Sequence, residues 1–241
     1  MIAHGFNVCY RHPGNDQDTL KNLRFTFKKG EIIGLVGVNG SGKSTFLSLL
    51  AGLFQPTSGD LVVLEQDLAK NGAKFKGKVA LVPQNPDIYI LGSNVEEDLL
   101  LGVDPKDREK QERALALADS FGLTDLLKRP IHALSHGQKR KLTLASTLAT
   151  QPSLLLLDEP FAGLDYPAIL AIRTILENNK KAGITQVVVG HDLEMFVDLA
   201  DSFALLNDGR IVAIGDAAEV FPHLLVNGAR PPGHGFEKRG R

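Results

Sequence analysis

Short apolar stretches stand at Ile32–Val36 and Val79–Val82, and strand-like runs return at 153–157 and Thr185–Val189. Four or five such residues between turn formers read as strands buried on both faces, as in a parallel sheet. Residues 44–50 follow the first run through a glycine-rich stretch, giving strand, loop, helix. After Val79–Val82 comes the turn-rich Pro83-Gln84-Asn85-Pro86, and then about sixty residues of helical texture. Within them a charged helix is expected to open at Pro105, with Glu109 and Arg113 spaced to pair, Ala114, Leu117 and Phe121 on one stripe, and Gly122 at its end. A helix over about 167–179 separates the third and fourth runs, the spacing of parallel βαβ units. Runs at 202–206 and 210–214 flank Asn207-Asp208-Gly209 as a hairpin. Beyond Val226 the sequence turns to Gly, Pro and basic residues, and residues 226–241 are expected to form a mobile tail.

Composition narrows this picture. At 241 residues, 43% hydrophobic and 23% charged, the chain can bury a sizeable core, which excludes disorder as its main theme. Twenty-seven basic against 28 acidic residues give a net charge of -1, so nucleic acid is not an expected partner. Cys9 is the only thiol; no intrachain disulfide or cysteine zinc cluster can form, which fits a reducing compartment. No apolar run approaches the roughly 20 residues needed to span a bilayer, and His4, Gly5 and Asn7 interrupt any leader. A role at a membrane would therefore require docking onto another protein.

The first chemical motif is Gly37-Val38-Asn39-Gly40-Ser41-Gly42-Lys43-Ser44, a P-loop in the required strand-to-helix setting. Its glycines let backbone N–H groups surround phosphate oxygens. Lys43 is expected at the β- and γ-phosphates and Ser44 on Mg²⁺, beside the positive end of a helix. Asn39, Gly40, Ser41 and Gly42, together with Thr45, complete the expected ATP contacts. A second motif, Leu154-Leu155-Leu156-Leu157-Asp158-Glu159, is an apolar strand ending in two acids. Asp158 then emerges where ligands bind in open α/β sheets, placed for Mg²⁺, and Glu159 is the natural general base for an attacking water. Two weaker patterns have plainer readings. His132 and His136 at i,i+4 lack a third metal ligand, and Lys74, Lys76 and Lys78 around Phe75 read as a solvated loop.

Leu134-Ser135-His136-Gly137-Gln138 resembles the LSGGQ signature of ABC-type ATPases, with His136 in place of the first glycine of the pair. Further stations follow that family's order over roughly residues 2–222: Tyr10, Gln84, Gly163-Leu164-Asp165 and Gly190-His191. The resemblance implies a P-loop α/β nucleotide-binding domain over 1–225, with a helical subdomain inserted at about 87–148 and an antiparallel N-terminal β region. It implies that Tyr10 stacks on adenine, that Gln84 senses Mg²⁺ and γ-phosphate, that Asp165 lies in a dimer-contact loop and that His191 is a γ-phosphate switch. Ser135, Gly137 and Gln138 would complete the ATP site of a second subunit. Taken one at a time, these residues also fit a packed aromatic, a loop glutamine, a helix cap and a strand-end histidine.

The segment Val82-Pro83-Gln84-Asn85-Pro86-Asp87, with Val95-Glu96-Glu97-Asp98 after it, resembles energy-coupling-factor importers of cobalt, nickel and vitamins, differing at Pro83 and at Ile88-Tyr89. That resemblance implies an ATPase at the cytoplasmic face of the membrane with separate membrane subunits and an undetermined cargo; both halves of the composite site being intact here favours a homodimer, and the short C-terminus leans the cargo to metal. Asp87, Glu96, Glu97 and Asp98 are the expected acids for an arginine-bearing partner, or else a solvated acidic helix start. A soluble ABC ATPase outside transport is the alternative, though 241 residues leave no room for the second cassette or long coiled coil of such proteins.

Overall fold

The computed structural model describes residues 1–68, 75 and 77–233. Its frame is a six-stranded sheet in the order β10-β9-β3-β8-β7-β6. Strands β3 (Ile32–Val36), β6 (Val79–Val82), β7 (Leu154–Asp158), β8 (Thr185–Val189) and β9 (Ser202–Asn207) run parallel, and β10 (Arg210–Gly215) returns antiparallel. Both faces are covered, which is why these strands are predominantly apolar. Leu155, Leu157 and Val188 face the helices of one side; Leu154, Leu156, Val187 and Val189 face helix α1 (Lys43–Leu50) on the other.

Helix α1 is sandwiched by a second, antiparallel sheet, β2-β1-β4-β5, made of β1 (Ala3–Tyr10), β2 (Leu20–Phe27), β4 (Ser58–Val63) and β5 (Gln66–Asp67). Phe46 of α1 meets Phe25 edge-on, with ring centroids 4.9 Å apart. Between β6 and β7 lie α2 (Val95–Leu100), α3 (Arg108–Ser120) and α4 (His136–Ala149), joined by short 3₁₀ turns. Helix α5 (Tyr166–Lys181) links β7 to β8, and α6 (Ala217–Val220) follows the hairpin.

Several local expectations shift. Helix α3 opens at Arg108, not Pro105, because the Asp107 side chain accepts from the Lys110 N–H and caps it. Lys110 also pairs with Asp107 at 2.8 Å, whereas no Glu109–Arg113 ion pair forms among the described residues. His132 lies in a 3₁₀ turn and His136 begins α4, so they do not share one helical turn. Residues 226–233 are not a free tail: a 3₁₀ turn covers Leu225–Asn227, and the Gly233 N–H donates to Glu194 at 3.0 Å. Lys74 and Lys76, like Lys238, Arg239 and Arg241, lie outside the described residues. No helix among the described residues is long and apolar enough to cross a membrane.

Candidate nucleotide-binding site

The glycine-rich loop crosses from the carboxyl end of β3 to α1, and its last glycine sets the geometry. Gly42 caps α1 with φ 104°, and a Cβ there would meet Leu20 Cδ2 at 2.8 Å, so only glycine fits. The first-turn N–H groups of α1 thus open into a cleft of about 320 Å³. Asn39, Gly40, Gly42, Lys43, Ser44 and Thr45 line it from the loop, and Gln84, Asp158, Glu159 and His191 from the ends of β6, β7 and β8. Lys43 Nζ donates to the Gly37 and Val38 carbonyls, each at 2.9 Å. Burial pulls its ammonium below the ordinary lysine pKa, against the pull of Glu159 and Asp158. Ser41 of the loop is buried, and among the described residues its Oγ has no hydrogen-bond partner.

Opposite the loop, the chain turns sharply after β7. Glu159 sits in the left-handed region at φ 53°, its N–H donating to the Val189 carbonyl at 3.0 Å. That turn aims its carboxylate at His191: the His191 N–H donates to Oε2 at 3.4 Å, and Nε2 lies 3.1 Å from Oε1. The second approach is not a hydrogen bond, which leaves Oε1 buried without a donor among the described residues. Burial raises the Glu159 pKa above the usual carboxylate value; His191 and Lys43 oppose this, and Asp158 adds to it. A desolvated carboxylate with one unsatisfied oxygen, facing the cleft that the P-loop lines, has the chemistry of a proton acceptor.

Tyr10 does not reach the cleft. It is 6% exposed and stacks on Phe54 with centroids 5.0 Å apart, so its faces serve the core. Half-buried His12 stands in front of it, Nε2 3.5 Å from Thr45 Oγ1 and Nδ1 3.3 Å from the Tyr10 hydroxyl. Ser135, Gly137 and Gln138 lie away from the cleft at the start of α4, where Ser135 and Gln138 form a capping box. Asp165 caps α5 by accepting from the Ala168 N–H at 3.0 Å.

Residues 20–162 match the sequence profile of the family described as ABC transporter. The chain belongs to that family. It is 36% identical over 237 residues to the cobalt import ATP-binding protein CbiO of Rhodobacter capsulatus, covering 93% of this chain and 83% of that one. It is 32% identical over 221 residues to the energy-coupling factor transporter ATP-binding protein EcfA of Methanosphaera stadtmanae, covering 89% and 79%. The solved structure of cbiO1 from Clostridium perfringens, described as part of the ABC transporter complex cbiONQ, superposes with a TM-score of 0.80 at 28% identity, covering 93% and 92%. This chain is therefore an ABC ATPase, the ATP-binding and ATP-hydrolysing subunit of a transporter.

Among the four expected docking acids of this ABC ATPase, Asp98 is excluded. It is 4% exposed, and its carboxylate accepts from the Leu91 and Gly92 N–H groups at 2.8 and 3.1 Å and from Ser146 Oγ at 3.0 Å. It pins the loop before α2 to α4. Glu96 pairs with Lys128, and Glu97 accepts from the Ser93 N–H at 2.9 Å yet stays exposed. Asp87 pairs with Lys139 at 2.6 Å with its side chain 54% exposed. Residues missed in the sequence are Thr19, which lines the cleft beside the P-loop, His12, and the buried Arg140. His12 stands just before Pro13-Gly14, a turn signal that marked it as a loop-end aromatic.

Proposed function

We propose that this ABC ATPase is the motor of an energy-coupling-factor-type importer, seated on the cytoplasmic face of the membrane and driving uptake of a transition-metal ion, cobalt or nickel, or else a vitamin. The observation that carries this reading is a groove of about 330 Å³ next to the nucleotide cleft. Apolar residues dominate its walls: Leu81 of β6, then Tyr89, Leu91 and Leu101, with Leu53 from beyond α1. Leu91 is 81% exposed. An exposed apolar surface of this kind is what a partner helix covers. The segment from Leu81 to Leu91 lines the groove at both ends and the nucleotide cleft at Gln84, so a partner seated there touches the chain that reads nucleotide. Asp87 and Glu97, both exposed in the chain that follows Gln84, offer carboxylates to arginine.

For hydrolysis, two copies of this chain face each other, each presenting Ser135, Gly137 and Gln138 to the ATP held in the other's cleft. The helix start at His136 supplies N–H groups suited to phosphate. Lys43 exchanges its two carbonyl partners for phosphate oxygens, and the His12 ring offers the purine an edge that Tyr10 cannot. The hydroxyl of Ser44, the carboxylate of Asp158 and the amide oxygen of Gln84 share the cleft and form a hard oxygen set that fits Mg²⁺. When bound, Mg²⁺ neutralises charge on the β- and γ-phosphates. Glu159 takes the proton of the attacking water while His191 holds that carboxylate and meets the γ-phosphate.

The test is co-purification from detergent-solubilised membranes with the transporter subunits, read beside cobalt, nickel and vitamin uptake. Asp87→Ala with Glu97→Ala, and separately Leu91→Asp, are expected to reduce recovery of the complex and uptake about tenfold while leaving ATP binding by the isolated chain unchanged. Full assembly and uptake in both variants would remove the docking role, and absence of any membrane partner would favour the soluble ATPase.

A further inference from the structure

Helix α4 carries a buried cation with no carboxylate bound to it. Arg140 is 1% exposed, and its guanidinium donates to four backbone carbonyls. Nε reaches Pro160 O at 3.0 Å, one terminal nitrogen reaches Gln84 O, and the other reaches Glu159 O and, at 3.2 Å, Asp158 O. Among the described residues no acid oxygen lies within ion-pair distance of it. Burying a guanidinium against carbonyls alone costs desolvation that a leucine on α4 would avoid. Burial lowers its pKa, and only the nearby charges of Glu159 and Asp158 oppose that.

The four acceptors have one thing in common. They belong to the two segments that place the reacting groups: Gln84, two residues past β6, which lines the cleft, and the end of β7 with the turn that swings Glu159 to φ 53°. A non-glycine residue in that region is strained and persists only when its surroundings hold it. The Glu159 carbonyl is held by Arg140 and its N–H by Val189. A planar fork with five donors can span both segments at fixed separation, which a single ammonium cannot do.

We infer that Arg140 is a positioning residue for hydrolysis, acting as a strut that fixes Gln84 and Glu159 relative to each other and ties both to α4, the helix that Ser135 caps. The inference rests on the reading of Glu159 as the proton acceptor. Movement of α4, whether a partner seats in the groove or a second nucleotide meets Ser135, is then transmitted to the chain's own catalytic carboxylate through one side chain. Arg140 does not line the nucleotide cleft; it acts through the backbone it holds.

The experiment is steady-state ATP hydrolysis and ATP binding by the full chain with Arg140→Lys, Arg140→Gln and Glu159→Gln side by side, with melting curves to establish folding. Lysine keeps the charge but loses the fork, so Arg140→Lys is expected to lower kcat at least tenfold while KM and ATP affinity stay within about threefold. Arg140→Gln should lower kcat at least as much. A folded Arg140→Lys protein with wild-type kcat overturns the inference, as does a fall in kcat matched by an equal loss of ATP affinity. If neither Arg140 variant folds, the residue is a packing element and the positioning role is gone. Wild-type turnover in Glu159→Gln would instead reject the assigned proton acceptor, whatever Arg140 does.

Discussion

Glu159 shows how one residue's surroundings change the chemistry of a common side chain. Burial, the left-handed backbone and the imidazole of His191 all act on a single carboxyl. Since burial raises its pKa, the folded protein binds that proton more tightly than the unfolded chain does. Stability is therefore lost as pH rises from the unfolded value near 4.5 through the folded one. Glu159→Gln has no charge to desolvate, so in the nucleotide-free protein it should melt higher at pH 7–8, by a few degrees, with the difference gone near pH 4. Its turnover should fall about 10²–10⁴-fold with ATP binding retained, because an amide cannot accept the proton of water. Melting curves across pH and single-turnover hydrolysis check the two halves separately.

Among the elements, the β9–β10 hairpin does more than close the sheet. Asp208 and Gly209 both have positive φ, at 44° and 72°, the two-residue turn that Asn207-Asp208-Gly209 announces in the sequence. The Gly209 N–H donates to the Ser41 carbonyl at 3.1 Å, and its own carbonyl accepts from the Lys21 N–H at 2.7 Å. A hairpin tip some 170 residues downstream of the P-loop thus holds that loop from behind. A Cβ on Gly209 would overlap the Thr19 carbonyl, and Thr19 lines the cleft. Gly209→Ala should therefore weaken ATP binding about fivefold or more and destabilise the fold by about 1–3 kcal/mol. Asp208→Ala, which keeps the glycine, should change ATP binding little. Titration with a fluorescent ATP analogue distinguishes them.

Across the whole molecule, the last described segment returns to the site. Gly228–Arg230 and the Gly190–Leu193 loop enclose a cavity of about 260 Å³ together with Val38 and Asn39, and Gly233 bonds to Glu194 on that same loop. His191 lines both this cavity and the nucleotide cleft. Ending the chain after Asn227 should therefore alter kcat severalfold while leaving the melting transition cooperative, whereas ending it after Gly233 should not. Hydrolysis by the two truncated proteins, measured side by side, decides this.

Local pattern was enough to determine β3, β6, β7, β8, the hairpin, the P-loop and the acid pair, because strands buried on both faces are predominantly apolar and a phosphate loop must be glycine-rich. The antiparallel sheet could be anticipated only by resemblance. Gly5 and the left-handed Asn7 break the alternation of β1, whose pairing with β2 shifts register after Gly5 and again after Val8. Burial was likewise beyond reach. Tyr10 and His12 are two aromatics two residues apart, and only packing against Phe54 decides which of them stays open. Asp98 reads like Glu97 until α4 brings Ser146 against it. Arg140, between Lys139 and Lys141, reads as one more solvated cation. Its four carbonyl partners come from segments about 20 and 56 residues away, and only the closed fold brings them to one guanidinium.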